Sequence, residues 1–261
     1  MVERVDIIAE GSRLEGAWFG GRFPERAIVL LHEGLGSVST WRDWPARLAF
    51  EAGCPVFAYS RLGYGQSDPA PLPRPVSYMH KEGIDVLPEV LDRTGIRRAV
   101  LVGHSDGGSI AIIHAGRSPR DPRVAGLGLI APHVFCEAIS VESIERAGEA
   151  YLGGDLREKL AKHHRDVEGA FFGWNGAWLD PAFRAWNIEE FLPRIEAPVL
   201  VIQGLDDPYG TLAQVDAIER GVAGPFERVL LPECGHVPQK DRPEETTAAV
   251  IAFARRCLGI L

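Results

Sequence analysis

The chain has 261 residues, 46% of them hydrophobic and 25% charged, a balance that suits a globular domain with a sizeable core. Its 36 acidic and 28 basic residues leave a net charge of −8 with no long Lys/Arg cluster, which argues against a nucleic-acid surface and mildly against polyanionic substrates. No signal-peptide pattern opens the chain and no apolar run approaches the ~18 residues of a membrane span, while Cys54, Cys136, Cys234 and Cys257 are scattered as free thiols would be, so the expected location is the cytoplasm.

Residues 5–9 and 14–19 predict two strands joined through Gly11-Ser12 as a hairpin. The apolar run 27–31 suits a strand covered on both faces and delivers His32-Glu33-Gly34-Leu35-Gly36. A helix is expected over 41–51, where Trp41, Trp44, Leu48 and Ala49 share a face. Residues 55–59 form the next strand, followed by Gly63-Tyr64-Gly65-Gln66-Ser67, a Pro-rich linker and a helical stretch over 78–94. Strands follow at 99–102 and 125–130. Strand and helix thus alternate after an antiparallel start, which predicts a mostly parallel sheet.

From 131 to about 195 the pattern is helical and rich in aromatic residues, and the expected division is a core of 1–131 and 196–261 with a helical cap or lid at 132–195. Strands resume at 198–203 and 228–231, a helix is expected over 215–222, and an amphipathic helix over 244–258 closes the chain.

The chemistry concentrates in Gly103-His104-Ser105-Asp106-Gly107, which stands between a strand and a helix, the context that makes Gly-x-Ser-x-Gly a nucleophile elbow. A serine hydroxyl is a poor nucleophile at neutral pH and needs a base and a carboxylate to orient that base. His236, in a Gly-His-Val-Pro loop after the last strand, is the candidate base. His104 lies inside the elbow and should point elsewhere, His32 ends a buried strand, and His163 and His164 fall on a polar helical stretch. The acid is Asp206 or Asp207, both just past a strand. The order Ser, Asp, His is that of elbow-type hydrolases. One donor to a developing oxyanion is expected from the backbone N–H of Asp106, at the start of a helix.

The whole pattern resembles the α/β-hydrolase superfamily, specifically its esterase-like members with a helical cap. The resemblance spans nearly the whole chain: elbow, acid turn, histidine loop and the Gly-x-Gly-x-Ser turn at 63–67. It implies an α/β-hydrolase fold, a mostly parallel eight-stranded sheet flanked by helices with a helical cap insertion. It selects Asp207, three residues after Gly204, and assigns the second oxyanion donor to Gly34, with Leu35 as the alternative. Glu33 departs from the family's usual glycine; hydrogen bonding that fixes the loop is expected of it, with a polar substrate contact or an anion-repelling rim as the alternative. Glu33, Leu35, His133, Trp174, Trp178 and Trp186 are the candidate substrate contacts, although a core position is the commoner fate of any single aromatic residue.

The function these features imply is a serine hydrolase, a carboxylesterase acting on neutral apolar esters through an acyl-enzyme. It needs no cofactor and no metal, and its partner is a small-molecule ester; the oligomeric state is not legible. Carbon–carbon bond hydrolysis by the same fold and a small-molecule receptor on a hydrolase scaffold are the alternatives. Dehalogenase and epoxide-hydrolase chemistry requires a carboxylate where Ser105 stands.

Overall fold

A computed structural model describes residues 2–260. Its centre is one eight-stranded sheet in the order β1-β2-β4-β3-β5-β6-β7-β8. The strands are β1 (Val2–Ala9), β2 (Ser12–Phe19), β3 (Ala27–Leu31), β4 (Val56–Tyr59), β5 (Ala99–His104), β6 (Val124–Ile130), β7 (Val199–Gly204) and β8 (Phe226–Leu231). β2 pairs antiparallel with β1 and β4, and every other pairing is parallel. All eight predicted strands are present.

The central strands β3, β4, β5 and β7 are buried at every position, as continuous apolar runs between two helical layers should be. On one face, residues such as Leu101, Ile110, Ile113 and Leu129 pack with helix residues Leu87 and Val90; on the other, Val100, Val102 and Ile130 pack with Leu48, Val250 and Phe253. Each fully buried Leu or Ile contributes roughly 1.5–3 kcal/mol. The parallel strands therefore present their carboxyl ends, and the loops that follow, along one edge of a rigid platform.

The helix expected over 41–51 divides in two. Val38–Trp41 is a 3-10 turn, Arg42 takes φ 56°, and the α-helix runs over Trp44–Ala52. Pro45 explains the break, because its ring and missing N–H are tolerated only in a helix's first turn. The stretch 78–94 is helical throughout but passes through a π segment, Glu82–Val86. Gly83 lies there against Ile110 and Ile113, where a methyl group would sit 2.8 Å from the Ile113 side chain. Between β6 and β7 lie the helices Ala138–Gly153, Leu156–Ala161 and Val167–Leu179, then 3-10 turns at Pro181–Ala185 and Glu189–Arg194. No strand interrupts them among the described residues, apart from a single bridge between Phe135 and Asn187.

Candidate active site

The elbow forms where β5 runs into the helix Asp106–Gly116, which is buried along its whole length. Ser105 stands between them at φ 52°, ψ −119°, a backbone conformation that a side-chain-bearing residue rarely adopts. The two elbow glycines permit close approach. A methyl group on Gly103 would lie 2.2 Å from the Gly107 carbonyl oxygen, and one on Gly107 2.0 Å from that of Leu31.

Three loops meet at this serine. Nε2 of His236 lies 2.9 Å from Ser105 Oγ, and Nδ1 lies 2.9 and 2.8 Å from the two carboxylate oxygens of Asp207. Asp207 also accepts 2.8 Å hydrogen bonds from the Gln203 amide and the Tyr209 backbone N–H. Burial works against its charge, but His236 and these donors outweigh it and hold the carboxyl below its ordinary range. An acceptor at Nδ1 leaves Nε2 free to take a proton from the hydroxyl. Asp206 is exposed, and its backbone N–H is spent on the Cys234 carbonyl, which ties the acid turn to the histidine loop. Gly204 makes that tie possible, since a methyl group there would fall 2.3 Å from the carbonyl oxygens of both Cys234 and Gly235.

The loop after β3 lies beside the elbow. Among the described residues, neither the N–H of Gly34 nor that of Asp106 meets a protein acceptor. The Glu33 carboxylate faces His104, with Oε2 3.6 Å from Nδ1; burial pushes its pKa up, but the histidine prevails and lowers it to about 2. The Leu35 carbonyl faces His164 Nε2 at 2.9 Å.

The sequence model of the alpha/beta hydrolase family matches residues 28–250. The chain belongs to that family. Epoxide hydrolase A of Mycobacterium tuberculosis is 39% identical over 300 residues, covering 88% of this chain and 91% of that one. The acetyltransferase component of the acetoin cleaving system of Pseudomonas putida is 27% identical over 88% of this chain, which spans only 63% of that protein's length. Among solved structures, an esterase from Thermogutta terrifontis superposes with a TM-score of 0.75 over 98% of this chain and 99% of its own, at 20% identity, a likeness of fold alone.

The hydrolase brings the remaining candidate residues to the same edge. His133 is buried, with its ring 5.7 Å from that of His236, and Trp178 sits edge-on to it at 5.3 Å. Trp174 lies directly over Gly34, where a methyl group would come within 2.0 Å of the indole nitrogen. Trp186 stacks on Phe183 at 5.2 Å. All three tryptophans are buried.

The two adjacent histidines depart from expectation. The helix ends at Ala161, so His163 and His164 lie beyond it, and His164 is buried. His164 Nδ1 accepts from the Gly65 N–H at 2.9 Å, which requires Nε2 to carry the proton donated to Leu35. His163 meets Ser39 at 2.8 Å. The turn after β4 and the loop after β3 are thereby joined through one imidazole.

Sequence reading also passed over Arg61, Tyr78, Gln203 and Gln239. Gln203 had a signal, a polar side chain closing an otherwise apolar strand. The Asp106 side chain is wholly buried and accepts a 2.5 Å hydrogen bond from Tyr78, whose oxygen in turn accepts from Trp178 Nε1 at 3.0 Å. Burial raises the Asp106 pKa, and Arg61 and Tyr78 offset this only in part.

Proposed function

We propose that this hydrolase cleaves carboxylic esters through a serine acyl-enzyme. The supporting observation is the unbroken line Ser105–His236–Asp207, with both links inside 3.0 Å. In this reading Ser105 attacks the ester carbonyl while His236 takes its proton and returns it to the departing alkoxide. Asp207 holds the imidazole and stabilises its charged form. The N–H groups of Gly34 and Asp106 receive the tetrahedral oxyanion. Water then repeats the cycle on the acyl-enzyme and regenerates the hydroxyl.

The segment 132–195 acts as a cap, and its buried tryptophans favour a neutral, apolar acyl or alcohol group. An epoxide hydrolase that forms a covalent ester needs a carboxylate at the apex of the elbow, where this chain carries a hydroxyl. The neighbouring Asp106 carboxylate is engaged with Tyr78 and Arg61.

Ser105→Ala should lose about 10⁴–10⁶ in kcat on a p-nitrophenyl ester. It should also lose labelling by a fluorophosphonate, which wild type takes up at Ser105. Turnover retained by the variant overturns the reading. A wild type that is labelled but turns over ring-fission diketones and no ester points to carbon–carbon hydrolysis; one that binds and never turns over points to a receptor.

A further inference from the structure

Beneath the elbow lies an ion pair that the proposed chemistry does not use directly. Arg61, on the turn after β4, is almost fully buried and spreads its guanidinium over the Tyr64 ring at 5.0 Å. One terminal nitrogen donates to the His32 carbonyl at 2.8 Å, the other to the Glu33 carbonyl at 3.1 Å. The second also lies 3.5 Å from the Asp106 carboxylate, which Tyr78 holds from another side. Arg61 is therefore fixed to the residue after the nucleophile at one end and to the loop after β3 at the other.

The Glu33 carbonyl belongs to the same peptide unit as the Gly34 N–H. In a planar trans peptide the C=O and N–H point in opposite directions. The group that captures the Glu33 oxygen therefore sets where the Gly34 hydrogen is aimed. Three donors converge on that oxygen: Arg61, the His32 ring through Nδ1 at 2.7 Å, and the Gly36 N–H at 3.1 Å. His32 must donate there, because its Nε2 accepts from the Arg61 backbone N–H at 3.0 Å. The Gly34 N–H is left pointing away from all three, without a protein acceptor among the described residues.

We propose that Arg61, anchored by the Asp106 carboxylate, is a positioning residue that orients the Gly34 N–H for the oxyanion. The role rests on the serine-hydrolase reading and adds to it a fixed mechanical link between elbow and oxyanion loop. It is a matter of geometry before electrostatics, so a lysine, which keeps the charge but loses the two-pronged fork, is a poor replacement. A buried pair of this kind contributes little net stability when both partners are replaced, whereas removal of one leaves an uncompensated charge. The expected signature of Arg61 is accordingly in rate.

The test compares wild type, Arg61→Lys and the double variant Arg61→Met/Asp106→Asn, the last guarding against misfolding caused by one orphaned charge. With p-nitrophenyl butyrate, both variants should lose roughly 10- to 100-fold in kcat while KM changes less than threefold. Inhibition by butylboronic acid, whose adduct on Ser105 places an oxygen in the oxyanion site, should weaken by a similar factor. Melting temperatures and the fraction labelled by fluorophosphonate at saturation distinguish loss of aim from loss of fold. Variants that match wild type in kcat and boronate affinity per folded molecule overturn the proposal, as does a kcat loss that only tracks the unfolded fraction. If wild type itself is neither labelled nor active on esters, the serine-hydrolase reading falls first and takes this one with it.

Discussion

Nε2 of His104 donates a 2.7 Å hydrogen bond to the backbone carbonyl of His236, so the residue before the elbow serine holds the residue whose ring faces that serine. The Gln239 side-chain amide meets the other ring nitrogen, Nδ1, at 3.1 Å and holds the imidazole in place. His104→Phe preserves an aromatic ring, here 5.2 Å from that of His236, but removes the donor. The expected result is a fall in kcat of about tenfold with KM little changed, because small misplacements of a base are costly. Steady-state kinetics with a melting curve check this; an unchanged kcat means that the histidine loop holds itself.

The two candidate acids separate cleanly. Asp207→Asn leaves the geometry nearly intact but presents an amide to His236 Nδ1, and activity should fall by about 10⁴ as the wrong tautomer is favoured. Asp206→Asn alters an exposed side chain and should leave kcat within twofold. Comparable losses in both variants would contradict the assignment of the acid to Asp207.

Much of this arrangement was legible because it is local. The elbow, the acid turn and the histidine loop each follow an apolar strand, and in a parallel sheet strand ends share one edge. Asp207, chosen by resemblance over Asp206, is the carboxylate that meets His236. What escaped is non-local. Arg61, Tyr78 and His164 act on residues 29, 28 and 129 positions away, and no spacing rule links a turn after β4 to the residue after the nucleophile. The break at Arg42 escaped for a different reason, since apolar spacing over 41–51 concealed what Pro45 does to a helix start.

His133 gives the fold a distinct acid response. Burial first, then the adjacent His236, lowers its pKa to about 3, against roughly 6.5 in an unfolded chain. His32 is lowered as well, by burial and by Arg61. Between those values the unfolded chain carries protons that the folded one refuses, so stability falls as pH drops. The lowered carboxyl of Glu33 adds its own loss only below about pH 4.5, the range in which its unfolded form takes up a proton. Urea midpoints from pH 7 to pH 5 stay clear of the Glu33 loss, and because raised carboxyls such as Asp106 also bear on that slope, it is the comparison of variant with wild type that reads His133. His133→Asn should flatten that slope relative to wild type, and parallel curves would show that His133 does not carry it.

Gly34 and Trp174 provide a paired test of how the helical segment bears on the oxyanion loop. A methyl group at Gly34 has no room, because the indole nitrogen would stand 2.0 Å away and the ring is buried. Gly34→Ala must displace either the loop or the tryptophan, and a displaced loop moves the N–H proposed to hold the oxyanion. The expected loss is about 10²-fold in kcat, comparable to removing one oxyanion donor. Trp174→Ala alone removes a ring proposed to contact the substrate and should act mainly through KM. In the double variant the methyl group has space, so kcat should recover at least tenfold over Gly34→Ala, a non-additivity expected of residues in contact. Strictly additive effects would mean that Trp174 does not confine the loop and that the harm done by Gly34→Ala arises within the backbone itself.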